Sequence, residues 1–311
     1  MKSSISVCIP TYQRPKFLQE ALYSVFEQTL QPIEIVIGDD SYDNTTENLV
    51  LDIKKECKIP ISYTRHSPSL GQAGNINFIY EIAKGDKIVL LHDDDLLLPN
   101  SLEDLNSCWN LHPNLVAAYG KQYFISEEGT IDQNLSSKLN QYYFRTSDKS
   151  GLQKSSIEAA LLHQFPNDCF MILASAAKAI KCRPYEEIGN AVDFDFGLRL
   201  GFEYSNFFFL DQYTAKYRIT KDSISKNTNS TAQSFHIILN TDFPDDLSWA
   251  KDYELKKEAS TAIIQLINFG KKKQALDIYL SQYYPLSKRF SLGGIHRLMK
   301  LFLPPAIAKL I

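Results

Sequence analysis

The stretch "IVLLHDDDLLLP", residues 88–99, decides how the chain folds. Its unbroken apolar run predicts a strand buried on both faces, as in a parallel sheet covered by helices. The run ends in His92 and three consecutive carboxylates, Asp93, Asp94 and Asp95, and three leucines and Pro99 follow at once. Like charges this close cost free energy unless something positive offsets them, and no Lys or Arg adjoins them in the sequence. A divalent cation is the natural counter-charge, because hard cations prefer oxygen ligands and Mg2+ typically uses carboxylates together with phosphate oxygens.

The preceding residues supply the frame for that strand. "ISVCIP" (5–10), "IEIVIG" (33–38), "ISYTRH" (61–66) and "DKIVLLHD" (86–93) have strand character. Between the first two, Phe17, Leu18, Ala21, Leu22, Val25 and Phe26 repeat with helical spacing, and Pro15 suits a helix start. Leu49, Ile53 and Cys57 mark a second helix. "LGQAGNINFIYEIAKG" (70–85) predicts a third, capped by Gly85, and Pro99 opens a fourth. Strand–helix alternation at this spacing implies an α/β protein with a mostly parallel, doubly wound sheet. Such sheets bind ligands outside the carboxyl ends of their strands. "PTYQR", Asp39–Asp40 and Asp93–Asp95 all stand at predicted strand ends, so neighbouring strands would bring them to one crevice. An isolated acidic loop is ordinarily solvated surface, and Asp39–Asp40 alone could cap a helix or form a turn. Two acidic clusters ending two apolar strands favour a site.

The run "SVCIPTYQRPKFLQEALYSVFEQTLQPIEIVIGDDSYDNT" resembles the opening of family 2 glycosyltransferases, which have the GT-A fold. "LGQAGNIN" is similar to that family's G-x-x-x-A-R-N-x-G segment, with Gly74 in place of Arg, and "LHDDDLLLP" to its L-D-x-D-D-x-x-x-P, with His92 in place of the first Asp. Gln13 stands where the family has Asn. The likeness is good over about the first 130 residues. It implies a GT-A-like, Rossmann-like catalytic domain over 1–226, with a nucleotide-binding half (1–98) and an acceptor-binding half (99–226). It also implies that Pro10, Thr11, Tyr12 and Arg14 line the nucleotide pocket, that Asp40 accepts a hydrogen bond from the base, and that Gly71 to Asn75 wrap the donor's other side. Asp93 would contact the donor, with Asp94 and then Asp95 as ligands of Mg2+ or Mn2+. Asp94 falls at the family's principal metal position when counted back from Pro99; the literal D-x-D is Asp93 and Asp95.

Sugar transfer from a nucleotide needs a base to take the acceptor's proton. "NAVDFDFGLRL" (190–200) resembles the family's E-D-x-D-[LF]-x-L-R, with Val192 where Glu is common. The match implies that Asp193 is the base and aligns Asp195 and Arg199 as well. The rival role for Asp193 is a plain N-cap. "FFFLDQYTAKYRITKDSIS" (207–225) predicts two strands; its end is similar to the family's Y-R-x-H-x-x-S, with Thr220 at the His position. Arg218 and Lys221 are candidates to neutralise a leaving diphosphate. Inversion at the sugar follows from the resemblance and from one base opposite one leaving group.

Composition bounds the rest. The 311 residues carry a net charge of −3, which gives no electrostatic footprint for nucleic acid. Five scattered cysteines without CxxC spacing suit a reducing compartment. No apolar run is long enough to span a bilayer, and the N-terminus lacks a signal-peptide core, so a cytoplasmic chain is expected. "NTNSTAQS" (227–234) predicts a link to a helical region at 235–311. Its last stretch, "SKRFSLGGIHRLMKLFLPPAIAKLI", interleaves Lys288, Arg289, Arg297, Lys300 and Lys309 with apolar residues and holds no acid. That pattern suits peripheral contact with the inner face of a membrane, or a helix docked on the body with solvated cations. The expected partners are a nucleotide-diphosphate sugar and a glycan or lipid-linked glycan acceptor, and the expected pathway is cell-surface polysaccharide or lipopolysaccharide assembly. Two further classes stand open: a non-catalytic sugar-nucleotide-binding subunit and a sugar nucleotidyltransferase.

Overall fold

The computed structural model describes residues 4–220 and 228–303. The chain divides into two compact units: residues 1–185 with 192–221, and residues 186–191 with 222–311.

The first unit opens as β1 (Ile5–Thr11), α1 (Pro15–Phe26), β2 (Glu34–Asp39), α2 (Thr45–Glu56), β3 (Ile61–Arg65), α3 (Gly71–Ile82) and β4 (Lys87–Leu90). It continues with β5 (Leu96–Leu97), α4 (Ser101–Leu111), β6 (Ala117–Ile125), β7 (Ile131–Asp132), α5 (Gln133–Tyr142), β8 (Gly151–Leu152) and α6 (Ser156–Leu161). Then follow β9 (Met171–Leu173), α7 (Ala174–Ile180), α9 (Val192–Glu203) and β10 (Phe207–Arg218); the one-turn α8 (Tyr185–Ile188) that precedes α9 in the chain belongs, but for Tyr185, to the second unit. One sheet runs in the order β3-β2-β1-β4-β9-β6-β10-β5. The four strands β3, β2, β1 and β4 are parallel, as the alternation predicts. Val7, Ile9, Ile35, Ile37 and Val89 are fully buried and pack with Leu18, Leu22 and Val25 of α1. Burial of that kind is worth about 1.5–3 kcal/mol per large aliphatic side chain.

Two local expectations are corrected. Helix α3 ends at Ile82, not at a Gly85 cap; Gly85 is required because a Cβ there would lie 2.6 Å from the backbone nitrogen of Ser6. The two strands expected over 207–225 are one strand, Phe207–Arg218, whose pairing with β6 shifts register around Tyr213; residues 221–225 lie outside the described ones. The sheet is mostly parallel, as expected, with β9 antiparallel to both of its neighbours and β5 antiparallel to β10.

The second unit is helical, with α10 (Ser230–Asn240), α11 (Ser248–Asn268), α12 (Lys272–Leu280), α13 (Leu286–Arg289) and α14 (Leu292–Phe302). The expected link at 227–234 is therefore helical from Ser230 onward, where Ala232 and Phe235 are buried and the Ala232 N–H donates to Gln265 Oε1 at 2.9 Å. Residue 227 lies outside the described ones.

Candidate active site

Adjacent parallel strands carry their carboxyl ends to one edge of the sheet, and here β1, β2 and β4 do so. Pro10 and Thr11 close β1, and the register sets Thr11 beside Asp39 of β2. The Thr11 hydroxyl donates to Asp93 Oδ2 at 2.7 Å, and the Tyr12 N–H to the same oxygen at 3.3 Å. Arg14 places its guanidinium 2.7 Å from Asp94 Oδ2 and 3.5 Å from Asp93 Oδ1. The counter-charge that adjacent sequence lacks thus arrives from a residue 80 positions away. Burial, together with Asp94, lifts the Asp93 carboxyl to about 6 despite Arg14 and Thr11. Burial works against charge on Arg14 too, yet Asp93 and Asp94 outweigh it and hold its pKa above the usual value.

The second acidic pair divides its labour. Asp39 is wholly buried, accepting from the Ser41 N–H at 2.8 Å and the Tyr63 hydroxyl at 2.7 Å. Asp40 donates its N–H to the Thr11 carbonyl at 3.0 Å, and its Oδ1 accepts the Leu70 N–H at 3.0 Å. Leu70 leads straight into Gly71, whose φ of +71° suits glycine, and so to the first turn of α3. Asn75 of α3 is committed to packing: its Nδ2 donates to the Gly38 carbonyl at 2.9 Å, and its Oδ1 lies 3.3 Å from His66 Nε2. Tyr12 is exposed, as a residue facing a ligand would be.

Asp193 stands in the first turn of α9, where the helix dipole favours a carboxylate. Gln72, in the first turn of α3, donates from Nε2 to both Asp193 oxygens, at 3.2 and 3.1 Å. Burial raises the Asp193 pKa above the ordinary carboxylate range, while His92 and Gln72 pull the other way. A continuous chain of contacts therefore runs from Asp93 through Thr11, Asp40 and Leu70 into α3, and across Gln72 to Asp193. Asp195, two residues on, is buried between the guanidinium groups of Arg183 and Arg199, which anchor this turn of the helix.

Asp95 points elsewhere. It is 1 % exposed, and its Oδ1 accepts the Arg218 N–H at 2.6 Å. Donor atoms of His92, Asp95 and Asp168 lie within 4.8 Å of one another. Burial and the neighbouring Asp168 push the Asp95 pKa well up, because a second negative charge is costly in that buried place. His92 Nε2 is buried without a hydrogen-bond partner among the described residues. The other ring nitrogen, Nδ1, lies 3.8 Å from Asp168 Oδ2, and one imidazole beside two crowded carboxylates is a donor set that fits a divalent ion such as Mn2+. Sequence reading passed over Asp168, whose partners are distant in the chain: His92 N–H at 3.2 Å and Gln122 at 3.4 Å.

One sequence candidate is corrected here. The Arg218 guanidinium is 1 % exposed and donates to Glu20 Oε2, to the Asp94 carbonyl and to the Glu127 carbonyl, so it braces the acidic loop from behind rather than facing a diphosphate. Lys221 lies outside the described residues.

Residues 6–177, more than half of the chain, match the profile of "Glycosyl transferase family 2". The chain is 26% identical over 220 residues to a glycosyltransferase of Methanocaldococcus jannaschii, covering 70% of this chain and 71% of that one. It is 28% identical over 134 residues to the GalNAc(5)-diNAcBac-PP-undecaprenol beta-1,3-glucosyltransferase of Campylobacter jejuni, covering 43% of this chain and 42% of that one. A mannosyltransferase from Pyrobaculum calidifontis, solved in complex with GDP-Man and Mn2+, superposes with a TM-score of 0.63 at 13% identity, over 97% of this chain and 87% of its own. That likeness places the GT-A architecture; the aligned part of the Campylobacter relative is less than half of its length.

Proposed function

This chain belongs to glycosyl transferase family 2, and on that footing we propose that it moves a sugar, with inversion, from a nucleotide-diphosphate donor to the hydroxyl of a glycan or lipid-linked glycan. The pathway we assign is cell-surface polysaccharide or lipopolysaccharide assembly, for which the lipid-linked acceptor in the name of the Campylobacter relative is the support.

The observation that carries the reading is the contact chain joining Asp93 to Asp193 through Thr11, Asp40 and Gln72. It sets a cationic and carboxylate-lined end, suited to a diphosphate, against a partly exposed carboxylate suited to a base. Pro10, Thr11 and Tyr12 form the wall for the nucleoside, with Asp40 beside them and Gly71 at the other side, where Asn75 holds α3 against β2 rather than reaching the donor. Arg14 stabilises negative charge near the phosphates, where charge grows as the leaving group departs. Asp94 and Asp95 would offer carboxylates to Mg2+ or Mn2+, the donor atoms that lie together being those of Asp95, His92 and Asp168; such an ion would supply further neutralisation of the diphosphate. Asp193 takes the proton of the acceptor hydroxyl as the new C–O bond forms. The sugar–phosphate bond breaks in the same event, and its electron pair leaves with the nucleoside diphosphate.

The test is release of nucleoside diphosphate from UDP-, GDP- and dTDP-sugars, chosen by thermal shift, with and without Mn2+. Wild type should turn over, and Asp193→Ala should lose about 10²–10⁴-fold in rate while still binding donor. Binding without turnover in wild type would instead favour a non-catalytic sugar-nucleotide-binding subunit. The nucleotidyltransferase alternative finds no support in the family match. Peripheral membrane contact through α14 belongs to the same reading; no helix among the described residues is long and apolar enough to cross a bilayer.

A further inference from the structure

Asp193 and Asp195 share one helical turn and have opposite surroundings. Asp195 is buried and clamped by two arginines. Asp193 is partly exposed, and among the described residues its side chain receives its hydrogen bonds from one group, the Gln72 amide. That amide comes from a helix 121 residues away in sequence and lies almost equidistant from the two carboxylate oxygens.

The choice of donor has chemical consequences. A guanidinium in that place would fix Asp193 but hold it strongly ionised and poorly basic. An apolar residue would leave the carboxylate free to rotate and without a donor to offset its burial. An amide carries no charge: it orients both oxygens yet leaves the full negative charge available for a proton. General-base catalysis needs that combination, because the accepting oxygen must meet the acceptor hydroxyl at hydrogen-bond distance and still be able to take its proton.

We infer that Gln72 is the positioning residue for proton transfer, holding Asp193 by its amide so that one oxygen faces the acceptor. The assignment rests on the reading of Asp193 as the base. The charged groups facing Asp193 are His92 from beyond β4 and Asp168 ahead of β9; Tyr80 and Cys182 also adjoin it electrostatically and are kept neutral by burial. His92 sits on the side of the acidic loop, so the Gln72 contact can be altered without touching it.

The experiment compares the full chain with Gln72→Met, which keeps the length and loses the donor, Gln72→Glu, which keeps the shape and adds like charge, and Asp193→Asn. The readout is nucleoside diphosphate release from the sugar nucleotide selected by thermal shift, followed from pH 5 to 9, with melting temperatures confirming that each variant is folded. For Gln72→Met we expect kcat to fall about tenfold at pH 7, donor KM to stay within about twofold, and the acid limb of kcat to move up by about one pH unit. Gln72→Glu should move that limb further. In the Asp193→Asn background, Gln72→Met should add no further loss, because the two residues act as one device. An acid limb unmoved in both Gln72 variants, with Asp193→Asn inactive, overturns the role of Gln72 alone. Wild-type turnover in Asp193→Asn overturns the base itself and Gln72 with it.

Discussion

Gln13 holds a left-handed backbone, φ 57°, in the turn between β1 and α1, while its N–H donates to Ser41 Oγ at 2.8 Å. That conformation disfavours ordinary side chains by about 1 kcal/mol and suits Asn, the residue found there in the family pattern. Gln13→Asn should therefore stabilise the chain by about 0.5–1 kcal/mol in urea unfolding, and Gln13→Val should destabilise it. Arg14 has the larger stake. Without it, Asp93 and Asp94 lose the guanidinium that offsets them. Arg14→Met should cost about 2 kcal/mol near pH 8, the scale of a lost charge-assisted hydrogen bond. Asp93 titrates near 6 in the folded chain, above its unfolded value, so it binds its proton more tightly when folded and its carboxylate weakens the fold as pH rises through about 6. The Arg14→Met penalty should thus shrink as pH falls below 6, and a flat difference in melting temperature from pH 5 to 8 would contradict this. The sequence showed that Asp93–Asp95 needed a counter-charge and offered a metal; Arg14 was legible as a pocket residue but not as that counter-charge, because only the pairing of β1 with β4 brings residues 80 apart into contact. Gln72 lay within the segment expected to wrap the donor, but its contact with Asp193 joins residues 121 apart and leaves no local mark.

At the scale of elements, the parallel strands were legible because each is an apolar run bounded by turn residues, and α1 because its apolar spacing and Pro15 agree. The insertion of β9 between β4 and β6 was not, since "MIL" carries no sign of direction or partner. The bulge in β10 is likewise a product of pairing with β6 and leaves no local mark. Close approach between β2 and α3 gives a sharper test. A Cβ on Gly38 would fall 1.9 Å from Asn75 Oδ1 and 2.7 Å from Ile79 Cγ2, so Gly38→Ala must displace those buried side chains of α3 or shift the helix itself. It should destabilise by about 1–3 kcal/mol, as overpacking does, and weaken donor binding as Leu70 withdraws from Asp40. On β4, Lys87 is buried over the Trp109 ring with Asn106 as acceptor, and burial depresses its pKa to about 8. A lysine whose folded pKa lies below its unfolded one costs stability while charged, and the cost fades as pH rises from 8 toward 10. Wild type should gain melting temperature relative to Lys87→Met across that window.

For the molecule as a whole, family membership assigns the chemistry, and the helical unit raises the question of where that chemistry takes place. On α14, Leu292, Ile295, Met299 and Phe302 follow helical spacing and are 89%, 44%, 51% and 75% exposed, and Phe290 just before it is 78% exposed. His296 and Lys300 border that stripe, and the chain holds no Asp or Glu after Asp277. An apolar strip edged by cations in an acid-free segment is complementary to an anionic lipid surface, and the apolar contact supplies attraction that salt does not screen. Not every cation there is free to act: Arg297 Nε donates to the Ser260 carbonyl at 3.3 Å and Arg289 Nε to the Tyr284 carbonyl at 2.8 Å. Lys300 and the apolar strip should therefore dominate. In sedimentation with vesicles of phosphatidylcholine containing about a third phosphatidylglycerol, the full chain should pellet, and about 0.5 M salt should release only part of it. Leu292→Ser with Phe302→Ser should abolish pelleting without changing nucleotide release from a soluble donor. Equal pelleting with pure phosphatidylcholine, or none with either lipid, would leave α14 as a surface helix whose exposed leucines and phenylalanines serve some other contact.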